Sequence, residues 1–362
     1  MMKIVYVITG LSMGGAENQV CLLADQLTKL GHDVTLISLD NTLEVKPIND
    51  KVKLRQLSIK KNPISLIINY FKLRKIIKKI SPDVVHSHLF HANIICRLLK
   101  LTMKIKKLIS SSHSRYEGGV IRMLIYRVTQ NLADIVTNVS LDASNELLKR
   151  RVVTENKLVT VFNGIDCNKF KFIPDSRQDV FNEFSFSRDI KLLLAVGRFT
   201  EAKDYKTLLN AFKILISKDD KFRLLVAGNG ELFDSISTLK SQLNLDSFIY
   251  FLGVRDDIPR LMSAADIFVM SSAWEGLPLV IGEAMSCNCL IVTTNCGGVK
   301  EILGECGQIV PIRSPDLLAE KIMWTMELDD EERGILKKNA QNRIHDRFSI
   351  DSIVAKWLEL YS

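Results

Sequence analysis

The clearest fold signal in the chain is the stretch IFVMSSAWEGLPLVIGEAMSCNCLIVTT, residues 267–294. An apolar, β-rich run at 267–270 ends at two serines, and a Glu-Gly-Leu-Pro turn leads into a short apolar helix pattern. A second β-rich run follows at 290–293. Buried strands alternating with helices are typical of parallel sheets that are covered on both faces. The stretch therefore predicts an α/β protein.

Two carboxylates, Glu275 and Glu283, lie on either side of the predicted helix start, with seven residues between them. We predict Pro278 as the first helical residue, where its missing N–H costs nothing. Both carboxylates can then face one crevice, and the unpaired N–H groups of the helix start favour a phosphate there. Taken alone, the pair is equally compatible with general acid–base catalysis.

Composition bounds the rest of the chain. Its 362 residues predict two domains, and 47% hydrophobic with 25% charged residues is ordinary for a globular protein. Seven cysteines without a C-x-x-C pair predict reduced thiols in a cytosolic protein. No apolar run approaches the roughly 18 residues of a membrane span, so we interpret the start of the chain as a buried strand.

The net charge of +8 comes from the N-terminal half. Residues 1–170 hold 26 Lys and Arg against 13 Asp and Glu, whereas the remainder holds 23 against 28. In the segment 60–80, apolar residues recur at helical spacing opposite basic ones. This helix either packs on a sheet or lies on an anionic membrane surface; nucleic acid is disfavoured because no matching module accompanies the charge. The apolar set is Leu66, Ile67, Tyr70, Phe71, Leu73, Ile76, Ile77 and Ile80, and the basic set is Lys72, Arg74, Lys75, Lys78 and Lys79.

The alternation of strands and helices continues throughout and restarts after residue 188, which predicts two doubly wound, Rossmann-like halves facing a central cleft. We predict an N-terminal domain at 1–172, a linker at 173–188, a second domain at 189–345 and a helix at 346–362 that packs back toward the N-terminal domain. The predicted strands are 4–9, 34–39, 84–87, 108–111, 135–139, 158–161, 191–196, 222–227, 249–252, 267–270, 290–293 and 308–310.

Arg198 and Lys203 follow the predicted strand 191–196 in a Gly-containing segment. A guanidinium fork and a mobile ammonium together suit a diphosphate, although such a pair can also be solvated loop charge. Four motifs then occur in order: Gly14-Gly15-Ala16-Glu17, Asn163-Gly164-Ile165-Asp166, Gly197-Arg198 with Lys203, and Glu275-x7-Glu283. With Gly297-Gly298 further on, the set closely resembles the retaining nucleotide-sugar glycosyltransferases of family 4, over almost the whole chain.

The resemblance implies a GT-B fold and a role for each matching position. Glu275 would bind hydroxyls of the transferred sugar, and Glu283 the ribose. Arg198 and Lys203 would clamp the diphosphate, replacing a metal, since no D-x-D sequence occurs. Backbone at 253–255 would contact the base, and Gly228-Asn229-Gly230 departs from the commoner Gly-Asp-Gly. The implied donor-binding set is Gly14, Gly15, Arg198, Lys203, Asn229, Val254, Arg255, Glu275, Gly276, Leu277, Pro278, Leu279 and Glu283.

His113 matches the N-domain histidine that such enzymes place beside the donor sugar, and it completes the implied catalytic set of His113, Arg198, Lys203 and Glu275. The alternative is a loop histidine without function. His86, His88 and His91 resemble metal ligands by composition, but without a nearby cysteine or carboxylate cluster we favour acceptor-side lining or packing. Glu231, Asp256 and Asp257 are interpreted as helix-capping or loop carboxylates.

The function implied is retaining transfer of a hexose or N-acetylhexosamine, with UDP as the expected nucleotide, to a lipid-linked oligosaccharide or surface-polysaccharide precursor (O antigen, capsule or exopolysaccharide). No cofactor or metal is expected. The basic N-terminal half favours a cytoplasmic protein peripheral at the inner face of the membrane. The alternatives are a soluble acceptor, or a GT-B sugar-nucleotide epimerase or hydrolase; a non-enzymatic nucleotide-binding module would not need both glutamates and both cations.

Overall fold

The computed structural model describes residues 1–58, 63–113 and 118–362. The chain divides into two compact units. The first comprises Met1–Gly164 together with Ile350–Ser362, and the second comprises Ile165–Ser349. The boundary therefore precedes the predicted position at 172, and the C-terminal segment belongs to the first unit. The start of the basic segment, residues 60–62, lies outside the described residues, as do the side chain of Leu66 and the sequence that directly follows His113.

The predicted linker at 173–188 is wrong. It contains a helix, Ser176–Glu183, in which Val180 and Phe181 are buried. Two adjacent apolar residues in an otherwise polar segment give almost no helical periodicity, which is why the sequence did not indicate this helix.

The first unit is built on a parallel sheet. Within the described residues the strand order is β3-β2-β1-β4-β5-β6-β7. β1 is apolar on both faces because helices cover both: Ile4, Tyr6 and Ile8 enter one core cluster, and Val5 and Val7 enter another. The strands are β1 (Lys3–Ile8), β2 (Asp33–Ser38), β3 (Lys53–Gln56), β4 (Val84–His88), β5 (Leu108–Ser112), β6 (Ile135–Asn138) and β7 (Leu158–Thr160).

Helices connect these strands, and the last helix of the chain packs against the first. The helices are α1 (Gly15–Lys29), α2 (Pro63–Ile80), α3 (Phe90–Thr102), α4 (Gly119–Thr129) and α5 (Leu141–Lys149), followed in the second unit by α6 (Ser176–Glu183), α7 (Tyr205–Lys218), α8 (Phe233–Gln242), α9 (Ile258–Ala264), α10 (Leu279–Ser286), α11 (Val299–Leu303), α12 (Pro315–Glu327) and α13 (Asp330–Arg347), and finally by α14 (Ile350–Tyr361).

The second unit repeats the plan with the order β10-β9-β8-β11-β12-β13 across its described residues, and its paired strands are parallel. Its strands are β8 (Lys191–Val196), β9 (Phe222–Ala227), β10 (Ile249–Gly253), β11 (Ile267–Met270), β12 (Leu290–Thr294) and β13 (Gln308–Val310). The predicted α/β class with two doubly wound parallel sheets is confirmed.

The strand order reverses between β1 and β4 in the first unit and between β8 and β11 in the second. Ligands of open α/β sheets bind outside the carboxyl ends of the strands at such a reversal. In the second unit β8 ends just before Gly197-Arg198, and β11 ends just before Ser271. The topology thus selects the same two segments that the motifs indicated.

Candidate active site

An ion pair between Lys203 and Glu275 forms the centre of the candidate site in the second unit. Lys203 ends a short 3-10 helix after β8, and Glu275 lies in the turn between β11 and α10. The Lys203 Nζ atom lies 2.5 Å from Oε1 of Glu275, and the two side chains are only 21% and 16% exposed. Because the pair is sheltered from water, each charge holds the other in place.

Two serines that the motif comparison did not single out fix this pair. The Ser272 hydroxyl donates to Oε1 of Glu275 at 2.7 Å. The Ser271 hydroxyl donates to the carbonyl of Lys203 at 2.9 Å and to that of Asp204 at 3.1 Å. Both serines are buried. A polar pair at the end of an otherwise apolar strand, at a sheet reversal, is the signal that indicates them.

The turn that carries Glu275 rests on Gly297 and Gly298. Gly297 has a φ of 50°, and a Cβ atom there would lie 2.1 Å from the carbonyl oxygen of Glu275. The N–H of Gly298 donates to the carbonyl of Gly276 at 2.7 Å. Glycine permits both this backbone conformation and this close approach. The glycine pair therefore allows the turn that carries Glu275 to pack directly on the backbone at 297–298.

Arg198 lies in the loop after β8, packed against the turn that contains Asn229. The N–H of Phe199 donates to the carbonyl of Asn229 at 3.1 Å. Gly228 has a φ of 146°, and a Cβ atom there would meet the Gly197 carbonyl at 2.0 Å. Arg198 itself is exposed and forms no ion pair with any residue that the structure describes. Arg198 therefore presents its guanidinium to solvent from a loop whose backbone is held in place, and Lys203 follows in the same loop.

α10 begins one residue later than predicted. Pro278 occupies the N-cap position, with ψ 86°, and Leu279 is the first helical residue. Gly276 and Leu277 complete the turn from Glu275. Within the described parts of the chain, the N–H groups of Leu277 and Leu279 have no hydrogen-bond acceptor. They are suited to an anion at the helix start.

Glu283 lies in the second turn of α10, as the sequence indicated. Burial raises the pKa of its carboxyl to about 7, while the charges of Lys169 and Lys203 act in the opposite direction. Lys169 was not among the predicted site residues; it follows the turn that begins at Asp166, whose carboxylate accepts from the N–H groups of Asn168 and Lys169. The pKa of Glu283 is thus close to neutral pH, and the charges of Lys169 and Lys203 favour its ionised form.

The predicted base-contacting residues follow β10. Val254 is exposed, and the Arg255 guanidinium is bound to Asp257 and to Glu183 at distances of 2.8 and 3.1 Å. Asp257 makes no capping hydrogen bond at the start of α9. Of its two interpretations, helix cap or loop carboxylate, the structure supports the second: Arg255 and Arg260 hold its carboxylate, and they lower its pKa.

In the first unit, Gly14 and Gly15 begin α1 with Gly14 as the N-cap. Gly14 has extended backbone and no side chain to cap the helix. The Glu17 carboxylate, which accepts from the Ser12 hydroxyl at 3.0 Å, lies where a Gly14 side chain would be. The N-terminus of α1 therefore has no hydrogen bond from a capping side chain.

His113 directly follows β5, and its Nε2 lies 3.0 Å from Nδ1 of His88. Burial lowers the pKa of His113 to about 4. His86 and His88 are buried in β4, whereas His91 is exposed near the start of α3. Among the described residues, no three His, Cys, Asp or Glu side chains form a metal-ligand group. His86 and His88 instead pack inside the first unit, against each other and against Tyr6.

The predicted apolar face of α2 is only partly correct. Leu73 and Ile77 are buried, but Ile67 and Phe71 are 59% and 60% exposed.

α3 contacts both α2 and α4, and the exposed side of all three helices carries apolar side chains. We call this set the apolar surface: Ile67, Ile68, Phe71, Leu98, Leu101, Val120, Ile121, Leu124 and Val128. Lys72, Lys75, Lys78 and Lys79 of α2 are also exposed. None of the helices in the described ranges has the length and apolarity needed to span a bilayer.

Two family models match the chain. Residues 13–169 match Glycosyltransferase Family 4, and residues 176–343 match Glycosyl transferases group 1. Together they leave unmatched only residues 1–12, 170–175 and 344–362.

Curated relatives match at similar levels of identity. The chain is 23% identical to the N-acetyl-alpha-D-glucosaminyl L-malate synthase of Bacillus anthracis, covering 97% of this chain and 94% of the relative. It is 27% identical to a UDP-Gal:alpha-D-GlcNAc-diphosphoundecaprenol alpha-1,3-galactosyltransferase of Escherichia coli, covering 85% and 81%. It is also 27% identical to an undecaprenol-linked-glycan alpha-1,4-N-acetyl-D-galactosaminyltransferase of Campylobacter jejuni, covering 99% and 98%.

Solved structures share the fold over the whole chain. A glycosyltransferase from Rickettsia africae superposes with a TM-score of 0.89 at 23% identity, covering 99% of this chain and 98% of the other. The Anabaena protein Alr3699/HepE, in complex with UDP, superposes with a TM-score of 0.85 at 20% identity, covering 99% of both.

Proposed function

This chain is a glycosyltransferase with the GT-B fold, and we propose that it transfers a hexose or N-acetylhexosamine, with retention of configuration, from a UDP-sugar to a lipid-linked oligosaccharide or surface-polysaccharide precursor. The observation that carries this proposal is the sheltered Lys203–Glu275 pair at the carboxyl ends of β8 and β11. It offers a cation for a diphosphate and, beside it, an acceptor for sugar hydroxyls.

In the proposed reaction, the bond between the anomeric carbon and the diphosphate oxygen breaks as a bond to the acceptor oxygen forms on the same face. The acceptor proton passes to a donor phosphate oxygen. Lys203 and Arg198 stabilise the negative charge that develops on the departing diphosphate, so we propose that no metal is required. Glu275 orients the sugar, and Glu283 accepts hydrogen bonds from the ribose.

A lipid-linked acceptor is supported by the names of the Escherichia coli and Campylobacter jejuni relatives, which specify undecaprenol-linked substrates. The name of the Bacillus anthracis relative specifies L-malate, and it keeps a small soluble acceptor as the second candidate. The acceptor class therefore needs a direct test.

We further propose that the protein works at the cytoplasmic face of the membrane, held there peripherally by the apolar surface and the lysines of α2. Apolar side chains beside Lys are the combination that binds an anionic lipid surface, through burial in the headgroup region and attraction to its charge. Single exposed apolar residues are normal on a protein surface, but nine of them on three neighbouring helices are more than such scattered residues account for.

The catalytic proposal is tested by incubating the purified chain with UDP-sugars, one at a time, with or without a lipid-linked acceptor extract or L-malate, and analysing the products by mass spectrometry. We expect an acceptor product whose mass increases by one sugar, and UDP as the second product. An altered or hydrolysed UDP-sugar without an acceptor product would instead establish the epimerase or hydrolase alternative.

The membrane proposal is tested by co-sedimentation with vesicles containing anionic lipid. Lys75→Glu plus Lys78→Glu should release the protein from the vesicles. Lys206→Glu plus Lys218→Glu is the matched control, because both lysines are exposed on α7 of the second unit. Equal binding by wild type and both variants would refute the membrane role of α2.

A further inference from the structure

The loop between β10 and α9 would contact the nucleotide base, yet backbone hydrogen bonds do not hold it in place. β10 ends at Gly253, which has a φ of 65°, and α9 begins at Ile258. The Gly253 carbonyl accepts from the N–H of Gly228 at 2.7 Å. The N–H groups of residues 254–257, however, have no acceptor in the part of the chain that the structure describes. The conformation of this loop therefore depends on its side chains.

The side chain of Arg255 folds back onto two carboxylates. Its Nε donates to Oδ1 of Asp257 at 2.8 Å, and its Nη2 donates to Oδ2 of Asp257 at 2.8 Å and to Oε1 of Glu183 at 3.1 Å. Only 26% of this side chain is exposed. Because two carboxylates already bind the guanidinium, Arg255 is not a free cation for a diphosphate, and it ties its own loop to its surroundings.

Arg260 of α9 binds the same two carboxylates. Its Nε donates to Asp257 at 2.9 Å, and its Nη2 donates to Glu183 at 2.5 Å. Two guanidinium groups and two carboxylates thus form a neutral network, in which the side chains are between 23% and 33% exposed. Hydrogen bonding to Arg260 lowers the pKa of Glu183, and hydrogen bonding to Arg255 lowers the pKa of Asp257. Both carboxylates are therefore ionised at neutral pH.

Glu183 connects this network to the rest of the second unit. Arg255, Asp257 and Arg260 all lie in the segment 255–260, so the bonds among them fix only the local conformation. Of the residues that the structure describes, Glu183 alone binds the two arginines from outside this segment. Glu183 ends α6, which is anchored by its own buried side chains and packs against α9. Without Glu183, the loop would lose its ionic link to α6.

We propose that Glu183 is a positioning residue: through Arg255 and Arg260 it holds the loop 254–257 against α6 in one conformation before a donor binds. A loop that is ordered in advance costs less to order on binding, so Glu183 strengthens nucleotide binding without touching the nucleotide. This consequence rests on the proposed function and on contact between the backbone at 253–255 and the base. The attachment of the loop to α6 does not depend on either.

The attachment of the loop is tested by amide hydrogen exchange, measured by NMR on the full chain without ligand. The N–H groups of Arg260 and Leu261 report on the loop because both donate to the carbonyl of Asp257. We expect Glu183→Ala to accelerate the exchange of these two amides by a factor of about 3 to 10, as expected for the loss of two partly exposed ion pairs. Equal exchange in the wild type and the variant would overturn the proposal.

Asp246→Ala is the matched control, because it also removes a carboxylate from an ion pair close to β10, here with Lys240 at 3.2 Å. It should not change the exchange of the two reporter amides. If Asp246→Ala accelerated their exchange as much as Glu183→Ala, the effect would reflect a general loss of stability, and the positioning role would be refuted.

The consequence for the nucleotide is tested by titration calorimetry with UDP and with inorganic pyrophosphate, which lacks the base. Glu183→Ala and Arg255→Met should each raise the Kd for UDP by a factor of about 3 to 10 and leave the Kd for pyrophosphate unchanged. Weaker pyrophosphate binding by Arg255→Met would identify Arg255 as a diphosphate ligand and contradict its role in holding the loop. An unchanged Kd for UDP in Glu183→Ala would contradict the positioning role.

The two experiments separate this proposal from the proposed function. If the wild type binds neither UDP nor pyrophosphate, the proposed nucleotide site is wrong. The exchange experiment needs no ligand, and it then still decides whether Glu183 holds the loop.

Discussion

Lys203 is the cation whose loss should be felt most in catalysis. Its ammonium is held 2.5 Å from Glu275 and is therefore oriented before a donor binds. A preorganised charge of this kind costs no reorganisation when the diphosphate departs, and removing one such contact lowers kcat by a factor of about 10²–10³. We expect Lys203→Ala to reduce kcat by at least the lower figure, measured as sugar transfer under saturating donor.

The matched control is Lys206→Ala, which removes an exposed lysine three positions further along the chain, at the start of α7. It should leave kcat unchanged. A near-normal kcat in Lys203→Ala would contradict the proposed role of Lys203 in stabilising the departing diphosphate.

Glu283 should make nucleotide binding depend on pH. Burial raises the pKa of its carboxyl to about 7, and only the ionised form offers all its lone pairs to ribose hydroxyls. The ionised fraction therefore falls as the pH falls through 7. We expect the Kd for UDP, measured by titration calorimetry, to rise roughly tenfold between pH 8 and pH 6.

Glu283→Gln separates this effect from protonation of the UDP phosphate, which both proteins experience. The variant should bind more weakly at pH 8 and should show a smaller pH dependence than the wild type. Identical pH profiles for the two proteins would mean that Glu283 does not contact the nucleotide in its ionised form.

The turn between β11 and α10 should be the element least tolerant of a side chain beneath it. Gly297→Ala requires a Cβ atom 2.1 Å from the Glu275 carbonyl oxygen and a φ of 50°. Strain of this kind costs about 1–3 kcal/mol. We expect a lower free energy of unfolding, measured by urea denaturation, and weaker UDP-sugar binding because Glu275, which we propose contacts the sugar, is displaced.

Gly334→Ala is the opposite case within the same unit. Gly334 is exposed inside α13, and a Cβ atom there would contact nothing within 4 Å. Alanine should therefore raise the free energy of unfolding by about 0.5–1 kcal/mol. If both substitutions had the same effect, the close approach at Gly297 would not be structurally important.

β8, β9 and β11 were predictable because they are largely buried and therefore appear as nearly uninterrupted apolar runs; they have the predicted bounds, as does the short, half-buried β13. β3 was missed because Lys53, Arg55 and Gln56 are exposed at the sheet edge. In the site, Glu275 and Lys203 were recognisable from their motifs. The contribution of Ser272 was not, because a serine's hydrogen bond to a side chain three residues away depends on how the turn closes.

The exposed face of α4 shows another limit. Val120, Ile121, Leu124 and Val128 have the i, i+4 spacing that normally indicates a buried face, yet all four are exposed. Periodicity locates the apolar side of a helix but does not identify what covers it. The buried side of α4 uses Met123 and Tyr126 instead.

For the first unit as a whole, the buried histidines predict loss of stability in mild acid. His86 and His88 are at most 1% exposed, and burial holds both pKa values well below those of the unfolded chain. The unfolded state therefore binds more protons than the folded state once the pH falls below about 6.5. Each histidine then lowers the free energy of unfolding by up to about 1.4 kcal/mol per pH unit.

Glu283 of the second unit acts in the opposite direction, so the probe must report on the first unit. Glu283 has a raised pKa and binds a proton more readily in the folded state, which increases stability as the pH falls from 7 toward its ordinary value. Trp357 is buried 4.5 Å from the His86 ring, between centroids. Replacing Trp274 and Trp324 with Phe leaves Trp357 as the fluorescent reporter of the first unit.

With this reporter, urea unfolding should give a lower free energy at pH 5.5 than at pH 7.5. Carboxylates titrate mostly below this window, so the loss arises from the histidines. His88→Asn should reduce the dependence on pH because it removes one of the buried histidines of the first unit whose pKa the fold lowers; His86 and His113 are the others. His345→Gln is the control, since the His345 side chain is 80% exposed and lies in the second unit. A wild-type free energy that stays constant between these two pH values would mean that the histidines of β4 are protonated, or accessible to water, in the folded protein.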